Sequence, residues 1–359
     1  ERNTRQQKIK NIKKRKQNKS TEKQQNSNMS SCCDPGKSNN NIVIIGNANR
    51  ILRGHIPIGN KNQTVELIGR SWAADSTAFV VPSLGLALDA GYPVYGKRMD
   101  SIFVTHVHTD HCHHLTHVKS RSKPPTIYLP QSVVSKAVHF LDVAQQLTSN
   151  LTPEEYAEVN WQTSYVMKGV TAGEQIISIP SKKKGLQCRV VQCDHTVPCV
   201  GYCFSQVKES LKDDYRGLPG PEIGKLRKQG VAVTQQDVQP LFCFLGDTST
   251  SIFASSDAHY IFSCPTIIVE CTFLTEDCRD NAQRTKHVLW SDLKPHVVAH
   301  PETTFVLIHF SHRWNANEVQ EFFQTENLPN VVPWIPADTR MYCQEVETER
   351  EVEEVWSHF

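Results

Sequence analysis

The stretch Ser101-Ile102-Phe103-Val104-Thr105-His106-Val107-His108-Thr109-Asp110-His111 joins an apolar, β-branched run to a loop dense in metal-ligand side chains. The run reads as a buried strand. The loop at its end carries His106, His108, Asp110 and His111, so one strand can aim donors at two neighbouring cations. Imidazole and carboxylate suit zinc, and manganese or iron accept the same donors. A pair of such ions is suited to hydrolysis. A His-rich loop can also be plain polar surface. Against that reading, matching donors recur downstream in the same kind of place.

Val190-Val191-Gln192-Cys193-Asp194 leads into His195, Leu241-Phe242-Cys243-Phe244-Leu245-Gly246 into Asp247, and Thr304-Phe305-Val306-Leu307-Ile308 into His309. A strand end is a rigid platform, which a metal constellation requires. A lone histidine is more often a satisfied core or surface residue; four strand-end donor sets on one chain make coincidence a poor account. Counting then divides them. His106, His108 and His195 offer one ion three imidazoles, and Asp110, His111 and His309 serve a second. Asp247, with two carboxylate oxygens, is the natural bridge. Ions about 3.5–4 Å apart share a water and lower its pKa toward roughly 7, which removes the need for a serine or cysteine nucleophile. Asp89, in Leu88-Asp89-Ala90-Gly91, suits either the orienting of a ligand histidine or an ordinary turn aspartate, and spacing alone does not choose.

The chain has 359 residues, 38% hydrophobic and 21% charged, a globular composition compatible with one large α/β domain or two small ones. The net charge of +2 hides an asymmetry. Residues 1–40, with Lys13-Lys14-Arg15-Lys16, read as a disordered basic extension and residues 346–359 as an acidic tail. The folded domain is expected over 41–345. Twelve cysteines lack any Cys-x-x-Cys pair and are expected to be reduced core thiols. No run approaches the length of a transmembrane helix and none at the start reads as a signal peptide. The expectation is an intracellular protein, cytoplasmic or nuclear, with no membrane partner.

Strand patterns at 64–68, 77–81, 84–88, 101–105 and 126–129 precede others at 188–192, 241–245, 266–269 and 305–308. Helical spacing appears at 131–147 and 315–324, and a helix is expected after the His loop. Early hairpins followed by alternating strands and helices predict two sheets with helices outside, an α/β fold of the αββα type. Residues 207–239 break the pattern: basic, containing Gly and Pro, and lying between two ligand-bearing strands. So long a segment in a compact domain is functional or disordered, and a partly ordered arm insertion is expected.

At these residues the chain resembles the metallo-β-lactamase superfamily and, within it, the short form of ribonuclease Z, the transfer-RNA 3′-processing endonuclease. The His-x-His-x-Asp-His loop marks the superfamily. Asp194-His195-Thr196-Val197-Pro198 with Gly201-Tyr202, Phe244-Leu245-Gly246-Asp247-Thr248, Val269-Glu270-Cys271-Thr272-Phe273-Leu274 and His309-Phe310-Ser311-His312-Arg313-Trp314 are similar to motifs of the subgroup, and the likeness spans roughly residues 65–340. The resemblance implies the metallo-β-lactamase sandwich, two zinc ions per subunit and endonucleolytic removal of 3′ trailers from precursor transfer RNA, leaving a 3′-hydroxyl. It implies a catalytic set of Asp110, Glu270 and His287, the last two relaying a proton to the departing oxygen. Residues 207–239 would be the RNA-clamping arm, with Lys225, Arg227 and Lys228 on phosphates and Arg313 a further RNA contact. A homodimer is implied as well. Departures exist: Leu88-Asp89-Ala90-Gly91-Tyr92-Pro93 stands where many short forms carry Asp-Cys-Gly-Glu-Gly-Thr, Trp314 replaces the usual Tyr, and Cys271 the usual Ala or Ser. These leave the metal chemistry intact and bear on how substrate ends are recognised.

Two other classes fit parts of the pattern. One is a different dinuclear hydrolase: a β-lactamase, a glyoxalase II-type thioesterase or a general phosphodiesterase. β-Lactamases generally lack the bridging carboxylate, and the thioesterase lacks the Glu270/His287 pair and the basic arm. The other is an RNA-binding protein that has lost catalysis, which the complete donor set argues against.

Overall fold

Apolar runs of four or five residues bounded by donors and turns fit strands buried on both faces, and in the structure they form the middle of two sheets. The computed structural model of the chain describes residues 45–46, 51–59, 63–93, 99–118, 123–158, 164–173, 176–180 and 184–336. The first sheet holds β1 (Ile45–Gly46), β2 (Leu52–Pro57), β3 (Thr64–Trp72), β4 (Ser76–Val81), β5 (Leu86–Leu88), β6 (Ser101–Phe103), β7 (Thr126–Pro130) and β8 (Val166–Val170) in sequence order. The second holds β9 (Ile176–Ser178), β10 (Leu186–Cys193), β11 (Cys199–Leu211), β12 (Thr234–Phe244), β13 (Thr266–Glu270), β14 (Thr304–Ile308) and β15 (Val331–Pro333), again without a crossover in order. Each sheet starts antiparallel and ends parallel, the change falling at β5–β6 in one and β12–β13 in the other.

Alternation along the strands divides their side chains between layers. Phe103, Tyr128, Phe244, Ile268, Val306 and Ile308 face the core between the sheets, which Trp334 also enters. Ile102, Ile127 and Leu129 face the opposite way, onto Ala137 and Leu141 of the helix Val134–Thr148. Ile267, Val269, Phe305 and Leu307 meet Trp290, Leu293 and Val297 of the helix Trp290–Ala299 and Val319 and Phe323 of the helix Ala316–Glu326. The result is four layers, helix, sheet, sheet, helix: the αββα sandwich expected from the sequence. Each fully buried Phe or Leu adds about 1.5–3 kcal/mol over leaving it in water. No helix among the described residues is long and apolar enough to cross a membrane. The nine cysteines among them are buried and free of disulfides.

Residues 207–239 are a regular extension. β11 and β12 stay paired out to Leu211↔Thr234, and the register shifts between Phe204 and Ser205, opposite Pro240. Proline is tolerated at such a bulge because no ladder donor is needed there. Inward of the bulge Leu241–Phe244 are buried; beyond it 235–238 are exposed. The tip carries a turn at Asp213–Tyr215 and the helix Gly220–Lys228, within the segment expected as a partly ordered arm. The terminal segments, 1–40 expected as a disordered basic extension and 346–359 as an acidic tail, lie outside the described residues.

Candidate metal centre

The four strand ends that carry the candidate donors meet at one edge of the sandwich. The turn after β6 brings in His106 and His108, and a single helical turn, Thr109–Cys112, adds Asp110 and His111. β10, β12 and β14 bring His195, Asp247 and His309 from the second sheet. His106, His111, Asp247 and His309 are each under 4% exposed. Two glycines make this convergence possible: a β-carbon on Gly91 would lie 1.6 Å from the Asp110 carbonyl oxygen, and one on Gly246 would lie 2.5 Å from Thr105. Among the described residues five non-glycine positions have positive φ. Asn327 ends a helix; Ala74, Asp89, Lys286 and His309 all touch this centre, so backbone strain concentrates here.

Two groups of donors form. His106, His108, His195 and Asp247 converge in one; Asp110, His111 and His309 in the other. His108 Nδ1 lies 3.1 Å from His106 Nε2 and 3.2 Å from His195 Nε2. In the second group His309 Nε2 is 3.3 Å from His111 Nε2 and 3.4 Å from Asp110 Oδ2. Asp247 reaches both: Oδ2 is 3.6 Å from His106 and 3.5 Å from His309, and Oδ1 is 3.4 Å from His111. Donors bonded at 2.0–2.1 Å around a tetrahedral zinc stand about 3.3 Å apart, so these spacings fit a shared cation.

Partners behind the rings fix which nitrogen faces inward. Asp89 Oδ2 is 2.8 Å from His111 Nδ1, and the same carboxylate accepts Thr105 N–H at 2.7 Å. Thr105 Oγ1 lies 3.1 Å from His106 Nδ1, Thr272 Oγ1 3.0 Å from His309 Nδ1, and the Lys286 carbonyl 3.4 Å from His195 Nδ1. Nε2 therefore points inward for His106, His111, His195 and His309. Thr105, Thr272 and Lys286 are absent from the sequence-derived site; a hydroxyl or carbonyl behind a ring has no spacing signature, although Thr105 adjoins His106, Lys286 adjoins His287 and Thr272 lies two residues after Glu270.

The electrostatics favour positive charge. The partners of Asp89, Asp110, Asp247 and Glu270 are imidazoles, hydroxyls and backbone N–H groups. Burial works against a charged His111, yet Asp247, Asp89 and Asp110 outweigh it and raise that imidazole to about 10. Burial would raise Asp247, but His309, His111 and His106 hold it well below the usual carboxylate range. Buried carboxylates so arranged are stable when paired or when coordinating metal, and this set can hold metal.

Glu270, fully buried at the end of β13, accepts backbone N–H groups of Thr248 at 2.9 Å and Val288 at 3.1 Å. Its Oε1 is 2.7 Å from His287 Nδ1. Burial lowers His287, but Glu270 and then Asp247 overcome this and raise it to about 9. The His287 ring lies 5.0 Å from that of His195 and 5.4 Å from that of His309. With Asp247 and His309 it forms a third convergent group. A hollow of about 490 Å³ opens beside His195, lined by Gln192, Asp194, Thr196, Pro198, Ser251 and Ser255 among others. Arg313 is exposed on the turn after His309, and Lys225, Arg227 and Lys228 are exposed in the last turn of the arm helix.

No protein-family model matches the chain. The nuclear ribonuclease Z of Triticum aestivum is 31% identical over 172 residues, 46% of this chain and 89% of the wheat protein. The chain belongs to the ribonuclease Z family. Within that family, tRNase Z TRZ1 of Arabidopsis thaliana is 27% identical over 260 residues, 70% of this chain and 88% of that relative. The ribonuclease Z of Methanococcus maripaludis strain DSM 14266 is 27% identical over 273 residues, 68% of this chain and 82% of the relative. Among solved structures, human tRNase Z, short form (ELAC1), has 16% sequence identity and a TM-score of 0.45, covering 68% of this chain and 92% of that one. Ribonuclease Z membership makes the chain a metal-dependent hydrolase of the endoribonuclease type.

Proposed function

We propose that the protein removes 3′ trailers from precursor transfer RNA as a zinc-dependent endoribonuclease that leaves a 3′-hydroxyl. The observation that carries the proposal is the reach of Asp247, whose carboxylate lies 3.4–3.6 Å from rings of both donor groups. His106, His108 and His195 would hold one zinc, Asp110, His111 and His309 the other, with Asp247 between them. Three buried carboxylates, Asp89, Asp247 and Glu270, and the partly buried Asp110, supplied only by imidazole, hydroxyl and N–H partners, support two divalent ions rather than one; manganese or iron would suit the donors as well. When bound, such ions activate water and neutralise phosphate charge.

The chain's own groups supply the rest. Glu270 holds His287 by Nδ1, leaving Nε2 free to donate a proton to the departing O3′. Asp89, Thr105 and Thr272 lock ligand rings in one tautomer, and Asp110 shapes the second donor group. The arm hairpin carries Lys225, Arg227 and Lys228 far along the chain from the centre, suited to gripping phosphates of a folded RNA while Arg313 meets the strand near the cut. A homodimer, in which one subunit's arm serves the other's centre, and a cytoplasmic or nuclear location complete the reading.

The test incubates zinc-loaded protein side by side with precursor transfer RNA, a β-lactam and a glutathione thioester, with metal content measured by elemental analysis. Cleavage at the 3′ end with two ions per subunit is expected. Preferential hydrolysis of either carbonyl substrate, or fewer than two ions in active protein, overturns it.

A further inference from the structure

We propose that Lys286 is a positioning residue that locks the proton-donating His287 to the strand end bearing His195. The inference rests on the endoribonuclease reading above. Lys286 ends the helix Arg279–Thr285 in the left-handed region, at φ 55° and ψ 48°, a conformation that favours glycine. A side chain kept where glycine would be easier has a use for its β-carbon and beyond. Here the use is visible. Its Nζ donates to Asp194 Oδ1 at 2.7 Å while its carbonyl accepts from His195 Nδ1 at 3.4 Å. One residue thus grips the dipeptide Asp194-His195 at two points, and the next residue is His287.

Asp194 extends the grip to a third loop. Its other oxygen accepts from Ser249 Oγ at 2.7 Å, its carbonyl accepts Ser249 N–H at 2.9 Å, and its N–H donates to Thr248 Oγ1 at 3.0 Å. Thr248 and Ser249 directly follow Asp247. The segments carrying the donor, one ligand histidine and the shared aspartate therefore meet at a single ion pair. The pair is half-exposed, with side chains 45% and 42% accessible, and an ion pair that open adds little to stability. Its contribution is geometric: His287 is held to Glu270 from one side and to His195 through Lys286 from the other. Position matters sharply for a proton donor, because a misplacement of one ångström can cost about a hundredfold.

The experiment uses the zinc-loaded full chain with Lys286→Met, Lys286→Gly, Lys286→Arg, Asp194→Asn and the Lys286→Met/Asp194→Asn double variant. Substrates are precursor transfer RNA and bis(4-nitrophenyl) phosphate, whose nitrophenolate departs without a proton. Lys286→Met is expected to lower kcat on RNA about tenfold, with KM within about twofold and a clearly smaller loss of nitrophenyl turnover. Lys286→Gly, which relieves the backbone but removes the ammonium, should lose as much; Lys286→Arg should recover most of the rate. The double variant should be no worse than either single one. Imidazole NMR spectra should broaden for His287 in Lys286→Met and stay sharp for His106, with melting temperature and zinc retention against a chelator unchanged. A raised KM with constant kcat and a shallower salt dependence would make Lys286 an RNA contact and overturn the proposal. Equal losses on both substrates with zinc release would make it a structural residue and also overturn it. If the unsubstituted protein hydrolyses the nitrophenyl ester and leaves precursor transfer RNA uncut, the endoribonuclease reading fails first and this inference goes with it.

Discussion

Oε1 of Glu270 lies 2.7 Å from Nδ1 of His287, and that carboxylate is otherwise saturated by the N–H groups of Thr248 and Val288 and by the hydroxyl of Thr272. A carboxylate held this tightly cannot swing into the donor groups. It can only orient the imidazole and favour its charged form, which separates this pair from the two donor groups although they share one wall of the site.

His287→Ala is expected to lower kcat on precursor transfer RNA by about a hundredfold or more, in keeping with general-acid contributions, while KM changes little. An aryl phosphodiester with a good leaving group should be much less affected. A change confined to RNA binding would remove the proton-donor role.

Glu270→Gln should damage both rate and stability. The amide cannot accept all the donors that the carboxylate satisfies, and leaving buried N–H groups unpaired costs about 1–3 kcal/mol. Denaturant unfolding of the metal-free protein measures that loss apart from catalysis; unchanged stability would mean the loops relax to reach water.

Asp247→Ala removes the carboxylate that faces both donor groups. Metal-dependent cleavage should vanish and metal content should fall, with circular dichroism close to that of the unsubstituted protein. Retained turnover at full metal content would contradict the bridging assignment.

Asp89→Asn keeps shape and removes the charge behind His111. Loss of an outer partner of this kind typically weakens metal binding by about 10–100-fold, so excess zinc should restore cleavage. Failure of zinc to rescue would point to a folding role at this positive-φ position.

Excising residues 215–230 and closing the hairpin with a short turn should impair precursor transfer RNA far more than an aryl phosphodiester. Replacing Lys225, Arg227 and Lys228 with alanine should flatten the salt dependence of RNA binding, by up to about three charges' worth. Equal losses on both substrates would make the hairpin a structural element.

Much of this was legible in the sequence because the strands that matter are buried on both faces. Their runs are unbroken, and each ends in a His or Asp that has no place in an apolar layer. The strands at Leu52–Pro57, Val166–Val170 and Ile176–Ser178 escaped notice, being short, partly exposed and interrupted by polar residues. The extension of β11 and β12 escaped for a different reason: Lys208, Glu209, Gln235, Gln236 and Asp237 face solvent on both sides of a two-stranded ribbon, so no apolar alternation marks it. The helix Ala316–Glu326 was readable from helical spacing at 315–324, and in the structure Asn315 and Glu318 start it with a capping box. Thr272 could not be assigned a role, since the bond that links it to His309 crosses to a strand that lies far along the chain.

The donor set is divided between the two sheets: His106, His108, Asp110 and His111 follow a strand of one, and His195, Asp247 and His309 follow strands of the other. A cation seated among them is a rivet through the sandwich, and its binding energy is conserved as folding energy. Starving the protein of metal therefore does more than silence it. Without the ion the two halves lose a fastening, and unfolding becomes easier by the free energy of occupancy.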